Sequence, residues 1–299
     1  MRTDANDRPV LTIGHSPDPD DAFMWWPLGD ASQGRPPVID TGGFLFTPVA
    51  EDIESLNRRA AERGDLDFTA ISIRNYPSVR DRYILTACGA SMGDGYGPKV
   101  VARRGESDGV AWLTRDDVRI AIPGVRTSAW LALRLCAGTS LRHVETPFER
   151  IIDEVASGQI EAGLVIHEGQ LTYEDSGLEL VVDLGAWWKG ETGLPLPLGG
   201  NAARRDLDER LGDGAGRRLE AVLRASIEHA MAQRAEGVEL AMAHARGISR
   251  ERADRFISMY VNDLTIDAGE RGAGAIRAFL GRGAAAGLCE DPGGVELLG

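Results

Sequence analysis

The sequence predicts an α/β protein of two lobes around a cleft. Short apolar runs end in Gly, Pro, Ser or Asp and lead into segments with helical period, which is the rhythm of strands alternating with helices. Two extended segments, YGPKVVARR at 96–104 and LPLGGNAARR at 196–205, share the order glycine, apolar pair, alanine, arginine. Their separation of about one hundred residues suggests crossing strands that bracket an inserted lobe. The last hundred residues read as helix, with no convincing new strand after about Ala203. The expected organisation is therefore residues 1–99 as the first part of lobe one, 100–199 as the inserted second lobe, and 200–299 as a helical return to lobe one.

Taken in order, residues 10–14 form the first apolar run, followed by the loop HSPDPDD and the helical segment AFMWWPLGD, with Asp20 or Asp21 expected to cap its free N–H groups. Residues 51–63 place Ile53, Leu56, Asn57 and Ala60 at helical spacing, and 66–72 form the second run, with Asn75 and Tyr76 beyond it. The third run, 118–124, leads through Val125 and Arg126 to Thr127, Ser128 and the stripe WLALRLC. Residues 148–157 read as a helix stopped by Gly158, and the fourth run, 161–166, ends at His167. Helices are expected at 218–233 and 250–261, and no repeat of 20–50 residues recurs.

Charge and composition narrow the function. The 299 residues are 43% hydrophobic and 26% charged, the balance of a folded globular chain. With 33 basic and 46 acidic side chains the net charge is −13, which opposes a phosphate-backbone partner and makes nucleic acid an unfavoured one. No run of roughly 20 apolar residues suggests a membrane span, and the N-terminal residues do not read as a secretory signal. Cys88, Cys136 and Cys289 are odd in number and widely spaced, so neither a disulfide framework nor a thiolate zinc site is indicated. A cytoplasmic location is the expectation.

Four strand exits carry the residues with chemistry: His15, Ser16, Asp18, Asp20 and Asp21; Ser72; Thr127 and Ser128; and His167 with Glu168. Parallel strands would bring all four to one crevice, where ligands of open α/β sheets bind. His167 reads either as a general base at the mouth of the cleft or as a histidine bonded to a loop carbonyl. His15 competes for the base role, whereas His143, His229 and His244 are expected on helix or loop surfaces. Thr127 and Ser128 open a helix, where free N–H groups favour a carboxylate, although N-capping alone accounts for the residue types.

Asp18, Asp20 and Asp21 invite a metal reading, but they lack the alternating oxygen ligands of a calcium loop, and carboxylates at a helix start are explained by the helix dipole. The pairs Trp25–Trp26 and Trp187–Trp188 read as core or interface, or as a wall for a planar ligand. No GxGxxG, GxxxxGK[ST] or GxSxG pattern follows a strand, which disfavours NAD, ATP and serine hydrolysis.

The block EAGLVIHEGQLTYEDSGLELVVDLGAWWKGETGLPLPLGGNAARRDL closely resembles the corresponding block of the 1,4-dihydroxy-6-naphthoate synthases, enzymes of the futalosine route to menaquinone. SPDPDDAFMW is similar to that family's SPCPNDTF loop and IPGVRTSAW to its VPGRHTTAY. EDIESLNRRA, VRDRY, GYGPKVVARR, FERIIDEVASGQIEAGL and YVNDLTIDAGERG also match, so the likeness spans nearly the whole chain.

The resemblance implies a two-lobed periplasmic-binding-protein type II-like fold with an interlobe cleft, used as a carbon–carbon lyase. It implies cleavage of cyclic dehypoxanthine futalosine, a small carboxylate, to 1,4-dihydroxy-6-naphthoate without a metal or redox cofactor. The family's proton acceptor falls on His167, and its substrate-contacting positions fall on Ala70, Ile71, Ser72, Ser128 and Ala129. Thr127 beside them and Asp20 and Asp21 of the first loop complete the candidate set. Here Asp20 stands for the family's Asn, Ala22 for its Thr and Ala70 for its Lys, changes that bear on substrate more than on fold. The alternatives are a non-catalytic solute-binding protein of the same fold and the chorismate dehydratase of the same pathway, which the IHE and GAWW blocks favour less.

Overall fold

In the computed structural model, which describes residues 2–245 and 248–299, the apolar runs assemble into two mixed β-sheets with helices packed against them. The first sheet takes β1 (Arg2–Thr3), β2 (Pro9–His15), β3 (Leu45–Ala50), β4 (Phe68–Ser72), β5 (Tyr83–Thr86) and β6 (Ser91–Gly93) from the N-terminal side. The second takes β7 (Lys99–Arg103), β8 (Arg119–Ile122), β9 (Arg142–Glu145), β10 (Ala162–Val165) and β11 (Leu178–Asp183). The chain then returns to the first sheet with β12 (Leu196–Arg204) and β13 (Leu297–Leu298).

Strand order in the first sheet is β1-β2-β4-β12-β5-β13, with β3 on β2 and β6 on β12; in the second it is β11-β7-β10-β8-β9. β4 and β10 are buried at every position, because sheets covered on both faces select continuous apolar runs over alternation. β2 runs parallel to β4 and β8 runs parallel to β10, so the four exits expected to converge are two parallel pairs, one per sheet.

The helices α1 (Pro19–Trp25), α2 (Ile53–Glu62), α3 (Ser128–Ala137), α4 (Phe148–Ala156) and α5 (Leu184–Thr192) cover the sheets. The remainder is α6 (Leu207–Leu211), α7 (Ala215–Ala232), α8 (Arg234–Ala241), α9 (Arg250–Tyr260), α10 (Asp263–Ile266) and α11 (Gly269–Ala285). None of the helices among the described residues is long and apolar enough to cross a membrane.

Three expectations need correction. Neither Asp20 nor Asp21 caps α1: the helix starts at Pro19, whose fixed φ suits the first turn, so Asp18 is the N-cap and the other two lie inside. A strand does follow Ala203, since Leu297 and Leu298 pair with β5, a two-residue addition too short to leave a periodic signal. His143 lies on β9 and not on a helix or loop; all four residues of that strand are exposed, so it shows no apolar run.

One apolar core packs α1 and α7 on the first sheet through Leu11, Ile13, Phe23 and Leu223. A larger one runs from Ile71 through Val100, Ile120 and Leu131 to Phe279, so residues of both sheets share it. The tryptophan pairs serve these cores. Trp188 is fully buried, its Nε1 donating to the Pro195 carbonyl and its ring meeting Phe279 edge-on, and Trp25 is buried with Phe23.

Candidate functional site

A cavity lies where the four strand exits meet. Ser16, Asp20 and Asp21 line it after β2, Ala70, Ile71 and Ser72 at the end of β4, Thr127, Ser128 and Ala129 after β8, and His167 after β10. Every candidate substrate-binding position and the candidate base thus border one space. His15 does not: it is buried outside the cavity lining, its Nδ1 is 2.8 Å from the Ser16 carbonyl, and burial lowers its pKa.

The His167 backbone turns out of β10 at φ +54°, a left-handed conformation that an L residue adopts only under local constraint. Its Nδ1 is 2.8 Å from Asp18 Oδ2, and Phe148 meets the imidazole edge-on at 4.8 Å. Nε2 is buried and has no hydrogen-bond partner among the described residues. The Asp18 side chain makes no N-cap hydrogen bond to α1; it accepts from the Ser16 hydroxyl and faces the imidazole. An acid on one ring nitrogen fixes the tautomer and leaves the other nitrogen for a guest.

Burial opposes a charged His167, but the Asp18 carboxylate overcomes it and pushes the imidazole up to about 9. Burial, with the Asp18 charge added, raises Asp20 to about 7. Asp21 is raised well above the carboxylate range by burial and by Asp20, although the Ser16 N–H donates to it at 2.6 Å. The result is an imidazolium–carboxylate pair flanked by two carboxyls whose ionisation is shifted upward.

Other lining residues carry hydroxyls and backbone N–H groups. Thr127 caps α3, its hydroxyl donating to the Gly124 carbonyl and accepting from the Trp130 N–H at 3.2 Å. Ser128 Oγ accepts from the Arg74 N–H at 3.1 Å, which leaves its proton to give. Asn57, on the buried face of α2, holds Ser72 at both ends: Nδ2 donates to its hydroxyl at 3.0 Å and Oδ1 accepts its N–H at 2.8 Å. With the first turn of α3 opening beside them, these groups suit a carboxylate.

Several lining residues carry no sequence signal. Phe256 and Tyr260 reach the cavity from α9, and Gln170 lies just beyond His167. Tyr260 donates to Gln170 Oε1 at 2.7 Å. Gly89, Gly199, Gly200 and Asn201 arrive with β12 and the loop after β5. They meet the strand exits only through sheet pairing and helix packing, so no local motif marks them.

Comparison with known proteins agrees with this architecture. The sequence model described as menaquinone biosynthesis matches residues 11–285. A curated relative from Thermus thermophilus, named 1,4-dihydroxy-6-naphthoate synthase, is 40% identical over 279 residues, covering 93% of this chain and 96% of its own. One of the same name from Streptomyces coelicolor is 36% identical over 284 residues, covering 93% and 94%. A crystal structure of a protein from Archaeoglobus fulgidus superposes with a TM-score of 0.81 at 42% identity, covering 93% of this chain and 98% of that one. An alkanesulfonate-binding protein from Xanthomonas axonopodis pv. citri superposes with a TM-score of 0.65 at 14% identity, covering 98% and 96%, which places the fold among the periplasmic-binding-protein-like ones.

Proposed function

The chain belongs to the menaquinone-biosynthesis family, and from that premise we propose that it forms 1,4-dihydroxy-6-naphthoate by cleaving a carbon–carbon bond of cyclic dehypoxanthine futalosine. It is an enzyme of menaquinone biosynthesis with a small-molecule substrate. The observation that carries the lyase reading is the His167 ring, with Nδ1 held by Asp18 and Nε2 unpartnered beside the cavity. A ring so held suits a proton acceptor.

In this reading the substrate carboxylate sits at the start of α3, against Ser72 and Ser128, and away from the like-charged Asp18. Proton transfer needs the reacting atom within about 3 to 3.5 Å of Nε2. Neutral His167 takes the substrate proton on Nε2 while Nδ1–H stays on Asp18, whose negative charge stabilises the imidazolium that forms. The electron pair left behind expels the sugar-derived fragment, and aromatisation of the new ring supplies driving force. The imidazolium then returns its proton to the departing fragment or to water, which restores the base. Three unpaired cysteines support a cytoplasmic site for this chemistry.

The test is to incubate the purified protein with cyclic dehypoxanthine futalosine, without added metal or nucleotide, and to follow the products by mass. The naphthoate is expected; intact substrate after many enzyme equivalents of time would contradict the assignment.

A further inference from the structure

Asn201, on β12, is 1% exposed and lines the cavity, yet the proton transfer at His167 makes no use of it. Its Nδ2 donates to the Gly89 carbonyl at 3.1 Å, which fixes the orientation of the amide. Oδ1 is therefore the group left over, buried and with no hydrogen-bond partner among the described residues. A buried acceptor without a donor is costly, and one that borders a cavity is open to a donor carried by a ligand.

The residue is held in place from several sides. Its backbone carbonyl accepts from the Thr86 hydroxyl at 3.0 Å. Gly89 stands at φ +79°, and a Cβ there would come within 2.3 Å of Asn201 Nδ2, so glycine is what permits the amide contact. Across the sheet Asn201 pairs with Ala70, and paired residues of neighbouring strands share a face. Ala70 offers that face only a methyl group, so nothing there donates to Oδ1.

We propose that Asn201 Oδ1 accepts a hydrogen bond from a hydroxyl of the sugar-derived part of the substrate and thereby selects for a hydroxylated ligand; this rests on the lyase reading above. An acceptor repels a carboxylate, which the start of α3 serves instead. Ser72 pairs with Gly199, two residues before Asn201 along β12, so the two subsites are separated by roughly 7 Å along the strand. The carboxylate and the departing fragment are thus held at different points.

Kinetics of Asn201→Leu and Asn201→Asp test this, with 1,4-dihydroxy-6-naphthoate as a product inhibitor that lacks the fragment. Asn201→Leu is expected to raise KM about tenfold or more, the effect of losing a hydrogen bond in a site built for one, with the inhibition constant of the naphthoate within about twofold of wild type. Asn201→Asp keeps an acceptor but replaces the Nδ2 donor to the Gly89 carbonyl with an oxygen, so it is expected to recover the loss only in part and to lower Tm. Asn201→Ala also removes the acceptor should the leucine variant not fold.

An unchanged KM in the truncated variants overturns the proposal. So does an equal rise in the naphthoate inhibition constant, which would place the contact on the ring, or a fall in Tm with kinetics intact, which would make Asn201 purely structural. Absence of wild-type turnover would instead overturn the lyase reading beneath it.

Discussion

His167 and Asp18 share a charge whose state sets the pH response. With the imidazole raised to about 9, the neutral base is a minor form at neutral pH, and kcat/KM should climb with pH until a midpoint near 9 in the free enzyme. Asp18→Asn removes the charge that raises it, so the midpoint should fall toward or below the ordinary value of 6.5, while the plateau drops on the order of 10² to 10⁴. A wild-type midpoint already below 7 would contradict the pairing. Asp20 gives a stability readout of the opposite kind. Its folded pKa of about 7 lies above its unfolded one of 3.8, so its contribution is full below 3.8 and is lost as pH rises through 7. Asp20→Asn should therefore raise Tm relative to wild type more at pH 8 than at pH 4, which thermal melts at the two pH values will show. Much of the site is readable residue by residue, because Ser72 and His167 each close an apolar run and Ser128 opens the helix that follows one. Asn201, Gln170 and Tyr260 are not, because only sheet register and the packing of α9 bring them to the cavity.

The elements show which physical signals a sequence transmits. Buried parallel strands such as β4 and β10 stand out as apolar runs, and α2 and α4 stand out through one buried face. β9 left no such trace because each of its residues is exposed, and its strand conformation comes from pairing with β8. The misplaced cap of α1 has a similar origin. The helix starts at Pro19, which puts Asp20 and Asp21 inside it, and the side chain of Asp18 at the N-cap position faces the imidazole and makes no cap bond; neither is a helix-propensity effect. Close backbone approach is another signal that needs the fold. The start of α5 lies against the chain entering β7, where a Cβ on Gly185 would sit 1.8 Å from the Tyr96 carbonyl oxygen. Gly185→Ala should destabilise the protein by at least about 2 kcal/mol, read as a lower midpoint in urea. An unchanged midpoint would mean that the two segments separate freely.

For the whole molecule, the α/β class and the paired lobes follow from the rhythm of strands and helices, while their mutual position depends on contacts far apart in sequence. Apolar residues of both sheets merge into one core, and polar contacts close its rim: Arg58 of α2 meets Glu145 of β9 at 2.9 Å, and Tyr260 meets Gln170. Exposed ion pairs contribute little in water, so Glu145→Ala, which leaves the Arg58 pairing with the buried Glu54 intact, should move Tm by no more than about 3 °C, as calorimetry would show; a larger fall would mean that the pair carries the contact between the sheets. The proposed reaction rests on one buried imidazole nitrogen bordering the cavity, and a single-residue exchange addresses that directly. His167→Ala, given cyclic dehypoxanthine futalosine, should still bind it, seen by calorimetric titration, while naphthoate formation falls on the order of 10² to 10⁴. Turnover within a few fold of wild type would contradict the account.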